Sequence, residues 1–241
     1  MVKCSSLLKP IGQQFGYTTA GYYSEADVAT IKSYLESGQD IAGIPVAVPD
    51  YALSPSSTVV PGDLKYVDRN KDGLINILDQ TAIGYPNLPN TNLGLTLGFN
   101  YNGFSLSVLF QGSKGYSFAV IGTGIEPFQS QFQPIHQERW TPATASTANF
   151  PRLTQNPTTI NSPAVYFSDY WLINALYLRL KTIDFGYQLP TKSLPFKLNN
   201  ARVYVSAYNL FTWTNFTKYQ QDPEISTNTA GDAYINQRVI N

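Results

Sequence analysis

The sequence predicts an all-β fold, an antiparallel sheet carrying long polar loops, and three observations lead there. Charged residues make up only 13% of the 241 residues while aromatics reach 14%, with 17 Tyr and 13 Phe. That charge content is about half the usual share for a soluble domain and suits β-structure better than helices or an acidic disordered tail. Residues 93–112 alternate apolar and polar with period two through both arms of a hairpin. The connections between strand-like segments alternate, short then long.

Composition also removes several function classes. Formal net charge is zero and no basic stripe is present, so nucleic-acid binding has no electrostatic support. The single Cys, Cys4, allows no intrachain disulfide. With His136 as the one histidine, a multi-histidine zinc site is excluded, and a histidine-based triad would have to use that residue. No apolar run is long enough for a transmembrane helix, which leaves transmembrane strands open, since these need only about 9–11 residues. The opening "MVKCSSLLKPIGQQFGY" lacks the apolar core of a secretory signal. Either the protein is not exported, or its native start lies elsewhere.

Residues 1–92 read as a mixed loop region. Within it, "SEADVATIKSYLESG" predicts a short helix: Ser24 as N-cap, Asp27 near the capping-box position, Gly38 as the stop. "GIPVAVPDYALSPSSTVVPGD" is Pro- and Ser-rich loop. "DRNKDGLINILD", residues 68–79, has the spacing of a calcium loop of about twelve residues. Asp68, Asn70 and Asp72 supply oxygens at positions one, three and five. Gly73 permits the sharp turn, Leu74 offers its carbonyl, Asn76 can hold a water, and Asp79 closes the loop. A metal-free polar turn, in which the Asp and Asn side chains cap backbone groups, fits the same residues. The Asp at the last position and the absence of flanking helices point to a structural site and not a sensing switch.

"LGLTLGFNYNGFSLSVLFQG" follows. Leu93, Leu95, Leu97, Phe99 and Tyr101 share one face; Gly94, Thr96, Gly98 and Asn100 share the other. Asn102-Gly103 makes a tight turn, and Phe104, Leu106, Val108 and Phe110 alternate with polar Ser105, Ser107 and Gln111. The polar face is almost uncharged. A half-buried hairpin of a soluble sheet and a barrel hairpin with lipid outside and a polar interior both fit this pattern. Residues 113–175 read as a long loop rich in Gln, Thr, Pro and aromatics. "LYLRLKTIDFGYQLP" is a strand in which Leu176, Leu178 and Leu180 change phase to Ile183, Phe185, Tyr187 and Leu189 near Thr182, as a bulge would cause. After the short link "PTKSLPFKLNN" comes the strand "ARVYVSAYNLFTW", then a loop over 212–234, then a strand start in "INQRVIN". Long connections at 62–92, 113–175 and 212–234 thus alternate with short ones at Asn102-Gly103 and near 190–200. An up-and-down sheet puts all the long ones at one end, as outer-membrane barrels do, which favours the barrel.

The same residues resemble the C-terminal part of SusC/RagA-type TonB-dependent outer-membrane transporters. The likeness lies in "PIGQQFGYTTAGYY", in the whole block from "PGDLKYVDRNKDG" to "LFQGSKG", and in "RWTPATASTANFPRL", "SDYWLINALYLRLKTIDFGYQLP" and "ARVYVSAYNLFTWTNFTKYQQDPE", in that order. The resemblance implies a plugged barrel of about 22 strands, of which this chain would supply roughly five, the region 176–241 holding the last ones. It implies import of oligosaccharides or peptides across the outer membrane, a SusD-like lipoprotein lid as partner, TonB as energy source, and no covalent chemistry. The family's plug, TonB box and aromatic-ended last strand have no counterpart here, so the chain is expected to be a fragment. The calcium ion would then pin an extracellular loop.

Other motifs weigh little. His136 reads as a loop polar residue. "GTG" at Gly122–Gly124 lacks the third Gly of a dinucleotide site. Glu138 and Asp169 have no spacing that supports a glycosidase pair, and no catalytic residue is assigned. Trp140, Tyr170, Trp171 and Trp213 could stack on sugars, pack, or form a girdle at the membrane interface, the girdle being preferred. Three functions compete: a transporter segment, a secreted calcium-stabilised β-module that binds carbohydrate, and a soluble glycan hydrolase.

Overall fold

A computed structural model describes residues 9–53, 59–121, 125, 128, 132–154, 159–190, 200–216, 222–224 and 237–241. The chain divides into two compact units. Unit 1 comprises Met1–Asn87, Ser117–Ile173 and Ser226–Ala233; unit 2 comprises Leu88–Tyr116, Asn174–Ile225 and Tyr234–Asn241. Among the described residues no helix is long and apolar enough to cross a membrane, which says nothing about β-barrels.

Unit 1 is built from short pieces. β1 (Gln14–Gly16) pairs antiparallel with β6 (Thr81–Ile83), β2 (Thr19–Tyr22) antiparallel with β4 (Leu64–Tyr66), and β3 (Val48–Pro49) parallel with β5 (Leu74–Ile75). Strands this short bury too little alone, so packing between them must hold the unit. A tyrosine cluster does much of it. Tyr66 and Tyr166 stack at 5.8 Å, and Tyr17 lies 5.3 Å from Tyr66 and 5.0 Å from Tyr166. Each buried hydroxyl needs an acceptor: Tyr66 donates to the Ile160 carbonyl at 2.8 Å, Tyr166 to Asp50 Oδ1 at 2.8 Å, and Tyr23 to the Ala47 carbonyl at 2.8 Å.

The α-helix α1 (Glu25–Glu36), the single one among the described residues, starts where its sequence predicts. Ser24 Oγ accepts the Asp27 N–H at 3.0 Å and Asp27 Oδ2 accepts the Ser24 N–H at 3.0 Å, a reciprocal capping box. Ser37 is the C-cap, and Gly38 follows with φ +67°.

Unit 2 centres on a five-stranded sheet in the order β11-β10-β9-β8-β7. Its strands are β7 (Thr91–Tyr101), β8 (Phe104–Ala119), β9 (Leu172–Gln188), β10 (Arg202–Thr214) and β11 (Val239–Ile240). The ends of β8 and β9 fall in unit 1. Among the described residues the sheet is open, with β7 and β11 at its edges. β7 and β8 pair in register from Thr91↔Lys114 to Tyr101↔Phe104. Asn102 and Gly103 turn the chain with φ of 47° and 83°, the two positive angles of a type I′ hairpin turn.

Three boundaries differ from the sequence reading. β8 runs to Ala119, past residue 112, because "QGSKGYSFA" contains no alternation that marks it as strand. β9 begins at Leu172, ahead of 176. Among the described residues the region before residue 92 holds six short strands as well as its loops, each too short to show a period. Beside the phase change in β9, the register with β10 shifts between Tyr208 and Phe211. Val203, Val205 and Ala207 face Tyr187, Phe185 and Ile183, whereas Phe211 and Trp213 face Leu180 and Leu178. The irregularity therefore sits in β10, where Asn209 has φ 54°, opposite the Lys181 region. The final strand start is real: Ala207 pairs with Ile240 and Tyr208 with Val239. The links at 191–199 and most of 217–236, and the "GTG" stretch, lie outside the described residues.

Candidate functional site

The calcium-type loop lies in unit 1, entered from β4 and containing β5. Gly73 has φ +84° and Lys71 φ +62°, the bends that fold the loop back on itself. A side chain at Gly73 would collide with the Ile41 carbonyl. Every candidate side-chain ligand accepts from the loop's own backbone. Asp68 takes the Lys71 N–H at 2.6 Å on one oxygen and the Gly73 N–H at 2.8 Å on the other. Asn70 Oδ1 accepts the Asp72 N–H at 3.1 Å, Asp72 Oδ1 the Leu74 N–H at 2.9 Å, and Asn76 Oδ1 the Leu78 N–H at 2.8 Å. Asp79, with no exposed surface, accepts the Arg69 N–H at 2.8 Å and the Asn76 N–H at 2.9 Å. The last Asp thus ties the two halves of the loop together. Among the described residues, no group of three or more His, Cys, Asp or Glu side chains is arranged to hold a metal ion. As drawn, the loop is a self-capped turn.

The second feature is the pair of faces on the unit 2 sheet. On one face the cross-strand neighbours are apolar throughout: Leu95 beside Phe110, Leu97 beside Val108, Phe99 beside Leu106, Val205 beside Phe185, Trp213 beside Leu178. Most are large and exposed; Phe99 is 60% accessible and Trp213 56%. The other face pairs Gly98 with Ser107 and Asn100 with Ser105, with Leu109 beside Thr96 as an apolar exception. Further along it, Arg179 is 2% accessible and is held by Asp222 and Glu224 at 2.8 and 2.9 Å. The sequence puts Arg179 and Lys181 on the phase opposite the leucines but gives them no partner. The only clue in the sequence is the acidic "DPE" beyond β10.

The remaining candidates are structural. His136 is buried; its Nδ1 accepts the Gln133 N–H at 3.0 Å, so Nε2 carries the proton and donates to the Ile125 carbonyl at 2.9 Å. Glu138 accepts from Asn149 Nδ2 at 2.7 Å, and Asp169 from the Thr19 hydroxyl at 2.5 Å and backbone at 2.9 Å. Trp140 and Trp171 correct the girdle reading: both are buried in unit 1, Trp171 edge-on to Tyr170 at 4.8 Å. Tyr170 itself donates to the Asn149 carbonyl. Trp213 alone of the four lies on the apolar sheet face, against Phe211. Sequence reading also missed a buried carboxylate. Asp63 meets Arg152 Nε at 2.6 Å and Asn161 Nδ2 at 2.7 Å, partners about a hundred residues away.

A long-stranded antiparallel sheet with one apolar and one polar face is the wall of an outer-membrane barrel in miniature. Comparison with known proteins gives the class its family. The chain is 30% identical over 170 residues to TonB-dependent receptor P26 of Formosa agariphila, covering 68% of this chain and 16% of the relative. It is 28% identical over 193 residues to TonB-dependent receptor P3 of the same organism, covering 75% of this chain and 18% of that one. No family model matches. In fold, the chain superposes on part of the RagAB peptide transporter with a TM-score of 0.58 and 21% identity, over 94% of this chain and 22% of the other. The RagAB peptide importer in its open-open state gives a TM-score of 0.53 at 20% identity, over 88% of this chain and 19% of the other. The chain is homologous to part of the TonB-dependent receptors, and its fold matches part of the RagAB peptide transporter. Proteins of that family are outer-membrane transporters and not enzymes. The chain spans under a fifth of the length of these curated relatives.

Proposed function

We propose that this chain is a segment of an outer-membrane TonB-dependent importer, forming an arc of barrel wall with its attached loops. The observation that carries the reading is the apolar face of the unit 2 sheet. Leu97, Phe99, Leu106 and Val108 form cross-strand pairs there, and lipid is the solvent that such a surface suits. Strands of 11, 16, 17 and 13 residues are ample for a bilayer, which needs about 9–11 per strand. The polar face then lines the lumen. The cargo is an oligopeptide or oligosaccharide, with a SusD-like lipoprotein as the capturing lid and TonB as the source of work; the likeness to a peptide transporter supports the peptide.

The test is a paired substitution in cells that make the protein. Wild type fractionates with the outer membrane. Val108→Arg, at a lipid-facing position near the midplane, costs about 2–4 kcal/mol and depletes the assembled protein. Ser107→Arg on the lumen face leaves assembly near wild type. Equal effects at both sites would overturn the assignment of faces. A soluble monomer that binds carbohydrate would favour the secreted β-module instead.

A structural Ca2+ in the loop of Asp68, Asn70, Asp72, Leu74, Asn76 and Asp79 belongs to this proposal. Its support is the spacing and the two positive-φ bends, since each carboxylate oxygen keeps a lone pair beyond the N–H it accepts. Calcium titrated calorimetrically into the wild type binds, and Asp72→Ala abolishes or sharply weakens that binding while the strands stay intact. Unchanged binding in the variant refutes the metal assignment.

A further inference from the structure

We propose that Arg179 is a positioning residue that straps Asp222, Pro223 and Glu224 onto the polar face of the unit 2 sheet. A guanidinium that is 2% exposed must have its N–H groups answered. Here all three nitrogens donate. Nε donates to Thr212 Oγ1 on β10 at 2.9 Å, Nη1 to Glu224 Oε2 at 2.9 Å, and Nη2 to both Asp222 oxygens at 2.9 and 2.8 Å. Lys181, two residues along the same strand, donates to Glu224 Oε2 at 2.7 Å. From β8, the Tyr116 hydroxyl donates to the Pro223 carbonyl at 3.0 Å. Two neighbouring strands, β8 and β9, therefore grip three consecutive residues of a connection that lies beyond β10, and Thr212 on β10 braces Arg179 itself.

The stretch is suited to being held. Pro223 fixes its own φ and brings no N–H needing a partner. Asp222 Oδ1 also accepts the Glu224 N–H at 2.9 Å, which sets the two carboxylates on one side. The charges balance, two cations against two carboxylates, so the cluster presents no net charge to a passing solute. Without the strap, the same face would offer a guanidinium and an ammonium to anions. Arg179 thus acts through Asp222 and Glu224 on what the polar face presents. The strap stands without the transporter reading; only its lumenal placement rests on that reading.

Hydrogen exchange on the full chain tests it without reference to transport. Arg179→Met and Asp222→Asn should each speed exchange at the Glu224 amide at least tenfold, with β9 amides unchanged. The double variant should be no faster than the quicker single one, because both remove the same pair. Arg179→Lys, which keeps charge but loses the fork, should fall between wild type and Arg179→Met. Wild-type exchange at Glu224 in the single variants, multiplicative effects in the double, or faster exchange throughout the sheet would each overturn the proposal. If Arg179→Met does not fold, Arg179→Lys and Asp222→Asn, which keep side-chain size, give the same cycle.

Discussion

Asp63 shows what a single buried charge demands. Its side chain has no exposed surface, and Arg152, Asn161 and the Val60 N–H at 2.9 Å surround it. Burial pushes its carboxyl above the ordinary value, partly offset by Arg152 and these hydrogen bonds. A raised folded value means that this group's contribution favours unit 1 at low pH and is lost as pH rises through the folded pKa. Asp27 works in the other direction. Its modest burial is outweighed by the Ser24 N–H and by Lys65, so its carboxyl is lowered. It adds stability above the usual carboxylate range, which is lost as pH falls through its folded value. Asp63→Ala removes the partner of a largely buried guanidinium and should destabilise the protein by about 3–5 kcal/mol, read by thermal unfolding. A loss under about 1 kcal/mol would mean that water readily replaces the carboxylate. The Asp63 effect is not legible in sequence, since its partners lie far along the chain.

At the scale of elements, the hairpin and the helix were legible and the short strands were not. Asn102-Gly103 and the alternation around it are local signals, so the register is legible in the sequence alone. Ser24 and Asp27 are local too. Gly103 adopts φ +83°, and a Cβ there would come within 3.1 Å of the Gln188 carbonyl. Gly103→Ala should therefore cost about 1–2 kcal/mol, seen as a lower unfolding midpoint, while Asn102→Gly should be nearly neutral. Equal losses at both positions would mean that side-chain contacts, not the backbone angle, set the turn. The bulge teaches the complementary point. The sequence shows a change of phase in β9, but the extra residue of the register shift lies in β10, and register belongs to a pair of strands and not to either one.

For the whole molecule, the sequence by itself determined the antiparallel β class, the hairpin, the capped helix, the phases of the long strands and the likeness to TonB-dependent transporters. All of these depend on neighbours within a few residues or on ordered motifs along the chain. Only the tertiary structure decided which side chains meet across long separations: the tyrosine cluster, Asp63 with Arg152, and Arg179 with Asp222 and Glu224. It also moved Trp140 and Trp171 from an imagined membrane girdle into the packed interior of unit 1. The reason is physical. Periodicity reports which face a residue occupies, whereas burial and charge pairing depend on what covers that face, and the covering segments here come from distant parts of the chain.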